Sequence, residues 1–333
     1  MNDRGLLDLI IGRIPGLVPA DRVLLSRRFD REGEVTALAK KDVEGLLGHG
    51  IKRPWDMDAI TAQAEKDAAA ARLQGIGYVS YTATEYPPLL REIWDPPALL
   101  FYRGRLPNAA VPLAALVGTR RPSGPATAQA YTLAKGLAQG GIPVVSGLAL
   151  GIDAMAHRGN IEGGAPTVAV LGSGLDEIYP ATNRMLARRI VEQGGVLLSE
   201  YPPGIQPRKW HFPARNRIIA GLSRGVLIVE APQASGALIT AQFALEQGRD
   251  LWVASAGVAS PLGEGTRKLA EEGAGVITTA VEILAEWGIT PRGAAAEGLG
   301  EQQCSGDRES DGDLQGYALA LSLARSLNIV YEE

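Results

Sequence analysis

The chain has 333 residues, 46% of them hydrophobic and 21% charged, with 33 Lys and Arg against 37 Asp and Glu for a formal net charge of −4. That make-up belongs to a globular chain with room for two domains and a tail, and it excludes collagen-like and low-complexity classes. A lone cysteine, Cys304, excludes an internal disulfide and a cysteine zinc site, and the three histidines, His49, His157 and His211, lack metal-ligand spacing.

No apolar run reaches the ~18–20 residues of a membrane span, and Asp3, Asp8 and Arg13 interrupt the apolar patches that a secretory leader would need. A reducing, cytoplasmic location is expected from the cysteine usage. Residues 1–75 are predicted to form a small helical domain. Leu6, Leu7, Leu9, Ile10 and Ile14 share one apolar face, the Ile14-Pro15-Gly16-Leu17 turn follows, and Asp58–Leu73 reads as an alanine-rich connecting helix. The turn is similar to a helix-hairpin-helix element, whose amides can hold a DNA phosphate, although such turns commonly do no more than join helices.

From Tyr78 the hydrophobic period changes. Apolar runs at Leu113–Val117, Pro143–Ser146, Thr167–Leu171, Val196–Ser199, Val226–Glu230 and Leu251–Ala254 are predicted strands. Helical patterns at Gly124–Gln139, Ile152–Glu162, Ala181–Gln193, Arg215–Leu222 and Ala237–Gln247 separate them. Alternation of this kind predicts an α/β domain over residues 76–288, a Rossmann-like parallel sheet with helices on both faces. Residues 289–333 are predicted to be an acidic linker, Pro291–Asp313, and one short helix, Leu314–Leu327, with no full winged helix.

The unusual residues fall at the carboxyl ends of the predicted strands, where ligands of such sheets bind. Gly118-Thr119-Arg120-Arg121, Ser146-Gly147 and Ser235-Gly236 each open a helix, where exposed amides and the helix dipole favour anions. Charge is uneven along the chain: no acid occurs from Pro96 to Ala149, while Arg103, Arg105, Arg120, Arg121 and Lys135 fall there. The stretch from Pro207 to Val229 is also free of acids and sets Arg208, Lys209, Arg215 and Arg217 among Trp210 and Phe212. Cations track a phosphate backbone and aromatic faces stack unpaired bases, so this stretch reads as a candidate single-strand surface. A solvated basic loop is the plainer alternative.

Other chemistries fit less well. Gly172-x-Gly174-x-x-Glu177 lacks the third glycine of a dinucleotide fingerprint and puts an acid where a pyrophosphate would lie. Ser146 has no nucleophile elbow, and Asp153 with His157 reads as a pair that orders a helix start. No cofactor and no catalytic set is expected.

Four motifs in order, Ser146-Gly147 through Asp153, Val168 through Gly172-x-Gly174, Phe212-Pro213 with Arg215-Asn216-Arg217, and Glu230-Ala231 with Ser235-Gly236, resemble the DNA-processing protein A family (DprA, also Smf) over about Leu89 to Trp287. The resemblance implies a non-enzymatic single-stranded DNA binder that dimerises through its Rossmann-like domain and helps load RecA recombinase in natural transformation. It also implies DNA contacts at Arg120, Lys209 and Phe212, and backbone contacts at Ser146 and Gly147. Arg121, Trp210, Asn216, Gly118, Ser235 and Gly236 are further candidates, and Arg215 or Arg217 is expected either to touch DNA or to brace the loop. The N-terminal helices resemble the family's sterile-alpha-motif-like module. Leu150 where arginine is usual, Ser255-Ala256 for Pro-Gly, and Arg267 for asparagine depart from the pattern. Two rivals are a nucleoside-monophosphate N-glycosidase, to which Gly265-Thr266 gives a partial match without the catalytic glutamate, and a non-catalytic nucleotide sensor.

Overall fold

A computed structural model describes residues 3–290. In chain order the elements are α1 (Asp3–Arg13), α2 (Pro19–Arg28), α3 (Glu32–Thr36), α4 (Lys40–Leu47), α5 (Met57–Leu73), β1 (Gly77–Ser80), α6 (Pro88–Arg91), β2 (Leu99–Gly104), β3 (Ala114–Val117), α7 (Gly124–Gln139), β4 (Val144–Ser146), α8 (Ile152–Glu162) and β5 (Val168–Leu171). A 3-10 turn (Ala181–Asn183) leads into α9 (Arg184–Glu192), followed by β6 (Val196–Ser199), α10 (His211–Leu222), β7 (Gly225–Ile228), α11 (Gly236–Glu246), β8 (Asp250–Ala254), α12 (Ser255–Ala259), α13 (Glu264–Glu271), β9 (Gly275–Ile277) and α14 (Ala280–Glu286). The predicted linker, the C-terminal helix and Cys304 lie outside the described residues.

The α/β alternation is present, and the chain forms a mixed sheet with helices on both faces rather than a purely parallel one. Two compact units divide the described residues, 3–109 with 170–218, and 110–169 with 219–290. In the first unit the strand order is β1-β2-β6-β5, and β2 runs antiparallel to both β1 and β6. The five helices that precede its strands include α1, whose Leu7, Leu9, Ile10 and Ile11 are wholly or almost wholly buried, as is Ile14 just after it. Arg13 closes α1 onto α5 through a two-pronged pair with the buried Asp67.

In the second unit β4, β3, β7, β8 and β9 lie side by side, all parallel, with Val168 and Ala169 of β5 pairing on β4. The starts of α7 and α11 are set by Ser123 and Ser235, whose hydroxyls accept from the amides of Ala126 and Ala237. Alanines and leucines of α7 pack over Leu116, Val144 and Leu227 to form one core. Asn160, fully buried on α8, donates to the carbonyls of Ala134 and Ile142 and accepts from Val144 N, so α7, α8 and β4 share one polar fastening.

Candidate nucleic-acid interface

In the first unit, Arg208, Lys209 and Trp210 are exposed, and the Arg208 guanidinium lies over the Trp210 ring, 5.4 Å from its centroid. Helix α10 starts at His211, earlier than its apolar pattern suggests, because Pro213 falls in the first turn, where an amide hydrogen is not needed. His211 turns inward, stacks on Tyr201 at 4.1 Å, and donates from Nδ1 to the Gly172 carbonyl at 3.0 Å. Burial pushes its imidazole pKa down, the Gly172 bond opposes that shift, and the Arg208 charge adds to it. Tyr201 is pushed up to about 12, by burial first and the Glu200 charge second, so its phenol stays neutral.

Phe212 is half-buried and meets Tyr179 at 5.6 Å between ring centroids, and Tyr179 keeps 47% of its surface exposed. Gly172 eases this close approach, since a Cβ there would sit 3.2 Å from the Phe212 ring and 3.3 Å from the His211 backbone. The half fingerprint thus gives room to α10, and its Glu177 pairs with Arg184 at the surface.

Arg215 and Arg217 point into the protein and are each 6% exposed. Arg215 donates to the Val170 carbonyl at 2.7 Å. Arg217 donates to Glu200 Oε1 and to Asp95 Oδ2. Burial alone would lower the Arg217 pKa, but the Glu200 and Asp95 carboxylates outweigh it and raise it, so the guanidinium stays charged. Asn216, between them, is half-buried.

The second unit carries the remaining candidates at the carboxyl ends of neighbouring strands β3, β4 and β7. Arg120 and Arg121 are exposed on the loop after β3. A Cβ on Gly118 would strike Ile152 and the Glu230 carbonyl. Gly151, at φ 75°, lets the next loop pass under Arg120, since a Cβ would lie 2.5 Å from the Thr119 carbonyl oxygen. Ser146 is buried and donates its hydroxyl to the Leu116 carbonyl at 2.6 Å. The amides of Gly147 and Ala149 both donate to Asp153 Oδ2, at 3.1 and 3.4 Å. His157 Nδ1 faces Thr167 Oγ1 at 2.8 Å. Ser235 caps α11 and Gly236 is exposed at its first turn.

The departures from the family pattern have local partners. Gln129 donates to Ser255 Oγ and accepts from Ala256 N, while Arg267 donates to the carbonyls of Ser260 and Val258. Leu150 is 44% exposed. Thr266 exchanges bonds with Ala231, its hydroxyl accepting from Ala231 N and its amide donating to Ala231 O, so Gly265-Thr266 fastens the end of β7. At the N-terminal turn, Asp21 Oδ2 accepts from Val18 N at 3.1 Å and Oδ1 faces His49 Nε2 at 3.0 Å.

Tyr179 was not singled out from the sequence. Its only signal was an aromatic beside a proline after a glycine-rich turn, and its pairing with Phe212 depends on the fold. Among the described residues no helix is long and apolar enough to cross a membrane, and no cluster of three or more His, Cys, Asp or Glu could hold a metal.

A mixed, helix-covered sheet with glycine and serine turns at its strand ends, and with exposed arginine, lysine and aromatic side chains on its loops, defines a Rossmann-like α/β protein. The family model described as DNA recombination-mediator protein A matches residues 77–288, and the chain belongs to that family. It is 41% identical over 219 residues to the DNA processing protein DprA of Bacillus subtilis (strain 168), covering 66% of this chain and 73% of that one. Among solved structures it is similar to DNA processing protein A from Streptococcus pneumoniae, with a TM-score of 0.69 and 34% identity over 86% of this chain and 98% of the other. It is also similar to DNA processing protein A from Helicobacter pylori, whose structure concerns a single-stranded DNA binding mode, with a TM-score of 0.56 and 31% identity over 63% and 95% of the two chains.

Proposed function

We propose that this chain binds single-stranded DNA without cutting or modifying it, and acts as a recombination mediator that passes the strand to RecA recombinase during transformation. The observation that carries the reading is the exposed Arg208-Lys209-Trp210 run leading into the Phe212–Tyr179 ring pair. Cations there suit phosphates and the rings suit unpaired bases of any identity, which is the chemistry of strand binding without sequence preference. The H. pylori relative supports the choice of ligand.

In this reading Arg120, Arg121 and Lys209 neutralise phosphates, Phe212 and Trp210 stack bases, and Gly118, Ser235 and Gly236 offer backbone at helix starts. Asn216 adds a polar contact. Arg215, Arg217, Ser146 and Gly147 are assigned to the framework, since their polar groups already serve internal partners. Family membership supports a homodimer formed through the Rossmann-like domain and a cytoplasmic location. Titration of labelled oligo-dT at two salt concentrations is the test. Arg120→Glu and Lys209→Glu should each weaken binding about tenfold or more, and wild-type affinity should fall as salt rises. Salt-independent binding, or wild-type affinity in both variants, would refute the reading. Release of adenine from AMP would favour the glycosidase instead.

A further inference from the structure

We propose that Glu230, two residues past β7, is a positioning residue that holds the arginine loop in its binding shape, an assignment that rests on the single-strand reading above. Glu230 is wholly buried. Its carbonyl accepts from Thr119 N at 2.7 Å, and its Oε2 accepts from Ser123 N at 2.7 Å. One residue therefore ties down both ends of the Thr119–Ser123 segment, with Arg120 and Arg121 exposed between the ties. Its Oε1 is buried with no hydrogen-bond partner among the described residues.

That orphan oxygen shows that the carboxylate is not there to satisfy a full polar network. A buried negative charge beneath a loop meant for phosphates is electrostatically adverse. What the position requires is an acceptor for Ser123 N–H, which also sets the first turn of α7 through the Ser123 cap. The acceptor and the charge are separable, and each makes its own claim on the binding curve.

Glu230→Gln keeps an acceptor and removes the charge, so it should bind oligo-dT at least as tightly as wild type. Glu230→Leu removes the acceptor. It should lose about tenfold in affinity, and its log-affinity against log-salt slope should flatten by about 0.7 for each phosphate contact given up. A second pair reaches the same bond from the donor side. Ser123 has φ −63° and ψ 160°, values a prolyl ring accepts, so Ser123→Pro deletes the N–H while Ser123→Ala removes only the hydroxyl.

Ser123→Pro should repeat the Glu230→Leu loss and flattened slope beyond any effect of Ser123→Ala. If Glu230→Leu does not fold, the Ser123 pair decides. Folded Glu230→Leu and Ser123→Pro proteins with wild-type affinity and slope would overturn the assignment. Arg120→Glu in the same titration separates the two readings. Wild-type protein that ignores oligo-dT, or binding indifferent to Arg120, sinks the single-strand reading, whereas binding that needs Arg120 but ignores Glu230 sinks only this one.

Discussion

Arg217 Nη2 donates to Glu200 Oε1 at 2.7 Å from a side chain that is only 7% exposed, with Asp95 Oδ2 at 3.1 Å from Nε on the other edge. The pair fastens α10 to the residue after β6 and to the loop before β2. Removing the buried guanidinium leaves two carboxylates that keep 20% and 39% of their surface in water, so the loss is about 1–3 kcal/mol, less than for a fully buried pair. Arg217→Ala should therefore lower stability by that amount in urea or thermal unfolding, and Arg217→Lys should lose part of it because a point charge cannot span both carboxylates. An unchanged melting temperature for Arg217→Ala would show that the pair contributes nothing.

The Phe212–Tyr179 contact makes a claim on binding rather than on stability. Base–aromatic stacking is worth about 1–3 kcal/mol per base, so Phe212→Ala should weaken oligo-dT binding by roughly that amount. Tyr179→Phe should be close to wild type and Tyr179→Ala should not. Trp210, 64% exposed, gives the readout through quenching of its fluorescence on stacking. Equal affinity for Tyr179→Ala and wild type would remove that ring from the surface.

His211 gives the fold a pH dependence of defined sign. Its folded pKa lies below the ordinary value of about 6.5, chiefly because burial disfavours the imidazolium. The unfolded chain takes up the proton first, so this contribution is complete above about 6.5 and is lost as pH falls through the lowered folded value. His49 moves the other way, raised by its hydrogen bond to Asp21, and contributes below about 6.5 until pH climbs through its raised value. Melting temperatures from pH 7.5 down to 5 should fall less steeply in His211→Gln than in wild type. A His211 NMR titration at or above the ordinary value would contradict the assignment.

Gly151 tests how tightly the arginine loop is seated. With φ 75° and the Thr119 carbonyl oxygen 2.5 Å from any Cβ, Gly151→Ala should cost about 1–3 kcal/mol and displace the backbone on which Arg120 rides. Both the melting temperature and oligo-dT affinity should drop. A variant unchanged in both would mean that the loop shifts freely.

Where a segment announces its own ends, the sequence was enough. The helical patterns at Gly124–Gln139 and Ile152–Glu162 match α7 and α8 to the residue. The short strands β1 and β9 escaped notice because three or four residues show no period, and the antiparallel direction of β2 is a property of its partners rather than of its side chains. The basic run was plainly visible, but the fate of its cations was not. Arg217 is drawn inward by carboxylates 17 and 122 positions away along the chain, which no local pattern reveals.

The turn after β4 holds a carboxylate of its own, for Asp153 Oδ2 gathers the Gly147 and Ala149 amides. A guest anion would find that berth taken by a tethered tenant. On the proposed single-strand reading the Gly147 and Ala149 amides are already spent, and phosphates fall to exposed side chains and to the other helix starts. Side chains of that kind let go and catch again one linkage along, a behaviour that would serve the strand transfer proposed above.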